Sequence, residues 1–413
     1  MSESLVEPDY LEAAGPSDGG QEAIEIDSSS AARLETAPAV ARDSGAISPQ
    51  SSRHHEMRRE ALRNHPEIRE LFGSDPRPAL AIPVLLALHW GTAWLLRDSG
   101  LFVIFLVSFF WGQLLVHSAG ALLHDAAHRA VFRGKRTKVA FDIGLEMIMG
   151  TYGRLLTYQH EHMSSHHPHI GDYERDYEHE DTCRYLARRS FHRKHPRFRR
   201  LTTIVEILIN LLPFGFLIAG EVIPRFYKAV TGRETKDPQR DIAATKADPW
   251  MMSLFIGVTL TVNAGLFFAF GWKALLYHIW SLSHFIGKCG VTNLGQSLSE
   301  HPDGDVVDPT CSTYGPINWI LFNTGYHNEH HTFPNVPCFR LPKLKAIAPE
   351  VFHATSHKSY ARLWWEHVCK DFSPTRQNEF LYRDNAERCG GPPLGADEQP
   401  PYDPRPVGAT TLF

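Results

Sequence analysis

Cysteine is scarce, and none of it is paired by spacing. Six thiols (Cys183, Cys289, Cys311, Cys338, Cys369 and Cys389) are scattered over 413 residues without a CxxC. That excludes a zinc ribbon and argues against a disulfide scaffold, so reduced thiols in a cytosol-facing or membrane setting are expected. Surplus positive charge is also missing: 42 Lys and Arg face 46 Asp and Glu, a formal net charge of −4. The basic footprint of a nucleic-acid-binding protein is therefore absent. No HExxH occurs, and Glu329 lies inside a histidine cluster without that frame, which weakens the alternative of a membrane zinc hydrolase. The opening MSESLVEPDYLEAAGPSDGG is acidic and has no apolar core, so no secretory signal peptide is expected there. The last residues carry no KDEL-type address.

What the chain has in excess is histidine, 24 against 13 tyrosines. Three clusters stand out: HDAAH at His124 and His128, HMSSHH at His162, His166 and His167, and HNEHH at His327, His330 and His331. On a helix, i, i+3 and i+4 spacing puts imidazoles near one face. Imidazole ligates iron, zinc, copper or nickel. His160 and His169 flank the second cluster, and His301, in GQSLSEHPDG, is a ninth candidate. HPDG looks like a haem-binding HPGG, but an apolar span ends immediately upstream, which leaves no soluble module to hold a haem. Eight or nine imidazoles exceed what one tetrahedral zinc uses. They suit two metals with open positions, and iron is the expectation because redox chemistry with O2 needs a metal that changes valence.

The clusters sit among apolar runs of spanning length. Residues 78–97 and 101–123 predict one transmembrane hairpin, and 250–270 with 273–296 a second. Residues 203–223 are apolar but contain Glu206, Pro213 and Glu221. If that stretch crossed, the third cluster would face the opposite side from the first two, so it is expected to be re-entrant or interfacial. The Lys and Arg clusters then share one side while the two far turns hold only Arg97 and Lys273, in line with positive-inside. Residues 1–52 and 383–413 are rich in small, polar, Pro and Gly residues and are expected to be disordered tails. Between them, residues 53–382 form the membrane domain. Its first segment, 52–73, reads as an amphipathic helix, either solvated or lying on the membrane surface. His117, seven residues before His124 on the same face, is read as a packing or supporting residue. The resulting fold class is an all-α membrane protein with about four transmembrane helices in two hairpins and a helical cap over a polyhistidine site.

Several stretches carry a resemblance. GYHNEHHTFPNVP, preceded by YGPIN at Tyr314–Asn318 and by Phe322 and Asn323, resembles the sphingolipid Δ4-desaturase (dihydroceramide desaturase) family of the membrane fatty-acid-desaturase superfamily. RREALRNHPEIRELFGSDP, HSAGALLHDAAHRAVF and LPKLKAIAPEVF are similar to further family segments. The resemblance covers roughly residues 53 to 380. It implies a non-haem di-iron site on the cytosolic face of the endoplasmic reticulum, with both termini cytosolic, and O2 as co-substrate. It also implies electrons from cytochrome b5 and its reductase, and removal of hydrogen from C4 and then C5 of a ceramide-type lipid to give a trans double bond. Carried over by position, the implied metal ligands are His124, His128, His162, His166, His167, His301, His327, His330 and His331. The chain departs from the family at three points, one of which is a poor resemblance between Asp176 and Phe198. Its second box reads HxxxHH rather than HxxHH, which leaves His160 and His162 both open as the first ligand. Gln296 stands where the family has His. Hydroxylation at the same carbon, or oxidation of a fatty acid or carotenoid, would keep the same histidines.

Overall fold

The computed structural model describes residues 47–172, 174–178, 191, 194–232, 247–287, 289–301, 309–356 and 358–369. Residues 1–46 of the expected tail 1–52, the expected tail 383–413 and most of the basic run 184–200 lie outside the described residues. Among the described residues the structure is helical, with no β-sheet.

The first helix, α1 (Pro49–Asn64), begins ahead of the boundary expected at residue 52. Ser48 caps it by accepting the Ser51 N–H at 3.2 Å, and Pro49 fills the first turn, where no N–H is needed. A 3₁₀ turn over Arg77–Leu80 leads into α2 (Ala81–Leu95). The helix α3 (Leu101–Ala127) is continuous through a π turn at Ser108–Gly112, where the Ser108 hydroxyl donates to the Ile104 carbonyl. Next, α4 (Lys135–Met149) stops at Gly150, whose φ of +68° suits a residue without Cβ. Then α5 (Arg154–Glu161) runs into a π turn, His162–His166, and a last turn, His167–His169.

The apolar stretch 203–223 does not form one helix. It breaks at Leu211–Phe214 between α6 (Arg199–Asn210) and a second segment ending in α7 (Ile223–Thr231). At about 1.5 Å per residue neither reaches across a hydrocarbon core of about 30 Å. The break is held by the Trp280 indole on the Leu211 carbonyl and by the Ser283 hydroxyl accepting the Phe214 N–H.

Next come α8 (Pro249–Phe270), α9 (Trp272–Ile286) and α10 (Val291–Glu300). Among the described residues, three helical stretches are long and apolar enough to cross a membrane: Arg77–Leu95, Leu101–Ala127 and Pro249–Phe270. The expected fourth span, 273–296, is not among them: α9 ends at Ile286 and α10 begins at Val291, and α9 alone has 15 residues, about 22 Å by the same rise. The chain closes with α11 (His327–Thr332), α12 (Leu341–Ile347) and α13 (Tyr360–Cys369).

Among the described residues, two of the three buried apolar clusters bear on the site. One joins α2, α3, α4, α5 and α8 through Leu85, Leu115, Leu122, Leu145, Leu155 and Phe255. The other lies beneath α1 and uses Met57, Ile68, Phe333, Leu344 and Phe352. In the second core each such side chain contributes roughly 1.5–3 kcal/mol on burial from water, whereas in the first, among membrane-spanning helices, the gain is from van der Waals packing. Phe333 follows directly on α11, so the second core anchors the third histidine cluster.

Candidate metal centre

Four separate pieces of chain deliver the histidines. The end of α3 brings His124 and His128, and the π turn after α5 brings His162, His166 and His167. His301 caps α10, and α11 supplies His327, His330 and His331. Their nitrogens form two tetrads, His124–His162–His167–His330 and His166–His301–His327–His331, and within each the ligand atoms lie within 4.8 Å of one another. The tetrads adjoin, since the rings of His167 and His331 stack at 4.3 Å. His128 stands in neither, but its ring is 4.5 Å from His167 and 4.6 Å from His330. His160 is exposed, whereas His162 is buried in the first tetrad.

The second cluster shows how an HxxxHH spacing works. In an α-helix His162 and His167, five apart, diverge. The π turn closes an i→i+5 bond from the His167 N–H to the His162 carbonyl, and the longer repeat brings the two Nε2 atoms to 3.0 Å. His166, one position back, turns to the other tetrad and meets the His301 ring at 4.9 Å. The third cluster is set by the segment before it. Asn318 bridges the Thr313 carbonyl and the Gly325 N–H at 2.8 and 3.0 Å. Asn323, at φ +60°, adopts the left-handed conformation that asparagine tolerates. Glu329 points away from the imidazoles and accepts from the hydroxyls of Ser312 at 2.6 Å and Tyr314 at 2.5 Å. Burial raises its carboxyl above the ordinary range.

Several of the nitrogens are spaced as two ligands of one ion would be. His327 and His301 face each other Nε2 to Nε2 at 2.9 Å. Separations of 2.9–3.0 Å are those of neighbouring ligands about 2.0–2.1 Å from one ion. The Nε2 atoms of His128, His330 and His331 are buried with no hydrogen-bond partner, an arrangement that costs free energy unless something else binds them. Burial first, then the surrounding imidazoles, holds His162, His167, His327, His330 and His331 well below the ordinary histidine range. All five are thus neutral at physiological pH, with lone pairs available. A carboxylate orients one ring from behind, Asp176 lying 3.0 Å from His166 Nδ1, while Glu300 stands 3.6 Å from His327 Nδ1, beyond hydrogen-bond distance.

Two participants were not singled out in the sequence. Asp176 lies where the resemblance is poor, and no local pattern marks it. His54, on α1, has its ring 5.4 Å from His331, and burial lowers its pKa to about 3. Its only signal is its place beside another histidine on an amphipathic helix. His117 is a supporting residue: Nδ1 is 2.9 Å from the Thr292 hydroxyl and Nε2 is 2.5 Å from Gln296 Oε1. Gln296 thus takes up a histidine's free nitrogen instead of adding another.

The fatty acid desaturase family model matches residues 99–364. The chain is 30% identical over 316 residues to a sphingolipid delta(4)-desaturase DES1-like protein of Oryza sativa, covering 76% of this chain and 86% of that one. It is 28% identical over 336 residues to the Homo sapiens sphingolipid delta(4)-desaturase/C4-monooxygenase DES2, covering 80% and 93%. It is 28% identical over 330 residues to the Drosophila melanogaster sphingolipid delta(4)-desaturase DES1, covering 76% and 88%. With more than half its length matched, and with these relatives covered nearly end to end, the chain belongs to the fatty acid desaturase family, among its sphingolipid Δ4-desaturase members.

Proposed function

We propose that this protein is a membrane di-iron desaturase that introduces a trans double bond at C4 of a dihydroceramide-type lipid. The observation that carries the reading is the pair of adjoining imidazole tetrads. In each, neutral nitrogens converge where a metal fits. His124, His162, His167 and His330 would hold one iron, and His166, His301, His327 and His331 the other, with His128 beside the first. An iron pair held there supplies the redox chemistry with O2 that removes two hydrogens from unactivated methylenes. The protein's own contribution is orientation and dryness. Asp176 fixes His166, Glu300 stands beside His327, and His162, His166, His327, His330 and His331 are buried. Three apolar helices fit a membrane protein. We place it in the endoplasmic reticulum membrane, with the histidines and both termini cytosolic and cytochrome b5 with its reductase supplying electrons. A second reading is C4 hydroxylation, which the printed name of the human relative includes. The two differ in whether the second step removes a hydrogen or returns a hydroxyl.

Expression in a host lacking unsaturated long-chain bases, followed by lipid mass spectrometry, tests this. A Δ4-unsaturated base supports desaturation, and a 4-hydroxylated base the second reading. If neither forms while about two irons copurify per chain, the substrate class is wrong. Zinc in place of iron overturns the redox chemistry.

A further inference from the structure

The N-terminal helix, read from sequence as a solvated or surface element, reaches the metal centre from behind. Near its start the Ser48 N–H bonds the Pro168 carbonyl at 3.1 Å, and the Ser51 hydroxyl bonds the His167 carbonyl at 2.6 Å. One turn on, His54 Nδ1 lies 2.9 Å from the Thr332 hydroxyl. Arg58 then reaches the Thr332 carbonyl and the Asn335 side chain at 3.4 and 3.3 Å. The helix therefore joins the second histidine cluster to the third.

His54 is the residue that distinguishes this from generic packing. Thr332 gives its hydroxyl proton to the Asn328 carbonyl at 2.8 Å. Its oxygen therefore accepts from His54, which places the imidazole proton on Nδ1. The other nitrogen faces the Thr310 hydroxyl at 3.3 Å, and Thr310 also meets Asn328 Oδ1 at 3.2 Å. Nδ1 is taken by Thr332 and Nε2 faces the Thr310 oxygen, so His54 is not counted as a tenth ligand. Thr332 directly follows His331, and the His54 ring lies beside the His331 ring. On this geometry, and resting on the di-iron reading above, we propose that His54 is a positioning residue for the second tetrad. Its Nδ1–H···Thr332 bond holds the end of α11 so that His331 points at the metal.

The test compares two replacements in the full-length, iron-loaded protein in detergent. His54→Phe keeps the ring and loses both hydrogen bonds. His54→Asn loses the ring and keeps a donor near the Nδ1 position. Disturbing the support of a metal ligand typically costs 10–100-fold in affinity. Iron release to a chelator should therefore be at least about tenfold faster in His54→Phe for one of the two irons, while His54→Asn stays near the unaltered rate. His65→Ala, at the solvent end of α1 where the ring meets Glu350 at 2.6 Å, should release iron at the unaltered rate. Two irons held equally well by His54→Phe and the unaltered protein overturn the assignment, as do equal losses in His54→Phe and His54→Asn. An unaltered protein that binds no iron overturns both the assignment and the reading of the site.

Discussion

His301 and His327 meet nitrogen to nitrogen at 2.9 Å although 26 positions separate them. His301 ends α10, and His327 begins α11. Both are at helix termini, where one backbone step redirects a side chain. A pair of facing acceptors is stable only if a proton or a cation lies between them. His301→Ala should accordingly lower bound iron from about two to about one per chain and abolish product, with the protein still in the membrane fraction. Metal analysis of the purified protein checks it, and unchanged iron would remove His301 from the ligand set.

The second cluster offers a choice between His160 and His162. His160 is exposed, while the His162 ring lies 4.5 Å from His124 and 5.0 Å from His128. His162→Ala should eliminate product, and His160→Ala should leave at least half of it, measured by lipid mass spectrometry at matched protein levels. The reverse order would mean that the π turn is misplaced.

The π turn itself can be tested by deletion. Removing Met163, which is exposed, shortens HxxxHH to HxxHH and converts the i→i+5 bond into an α-helical i→i+4 bond. Iron content should survive at about two per chain. Deleting Leu156 instead rotates all three histidines by about 100° of helix and should lose the metal. Equal loss in both would show that the extra residue is not absorbed where the structure puts it.

Gly150 is one of the positions where the backbone requires glycine. At Gly150 φ is +68°, and a Cβ there would lie 2.6 Å from His278 Nε2. Gly150→Ala should cost about 1–3 kcal/mol from the left-handed backbone alone, before the contact is counted. A Cβ on Gly257 meets nothing within 4 Å, so Gly257→Ala should be neutral. Thermal unfolding of the two variants in the same detergent separates them.

The histidines were legible because chemistry concentrates them: three clusters at helical spacing supplied eight rings, and the acid-preceded His301 the ninth. The helical class and three of the spans were legible from apolar runs of bilayer length. The expected fourth span is matched only by the 15-residue α9, because an apolar run does not announce where a helix within it ends. His54 and Asp176 escaped for another reason. Each acts through a residue more than a helical turn away in sequence, Thr332 for one and His166 for the other, and periodicity does not encode such long-range or loop-borne partnerships. The departure at HxxxHH was visible, but its resolution, a π turn, depends on a backbone bond and not on residue type.

The short α9 has a consequence for the lipid around it. A helix of about 22 Å beside neighbours of 19 to 27 residues cannot match a layer about 30 Å deep, and its polar ends are not left in hydrocarbon. Such a shortfall is met by thinning of the bilayer beside the helix, by snorkelling of its flanking side chains or by association with other helices, so bilayer thickness bears on α9 more than on the longer helices around it.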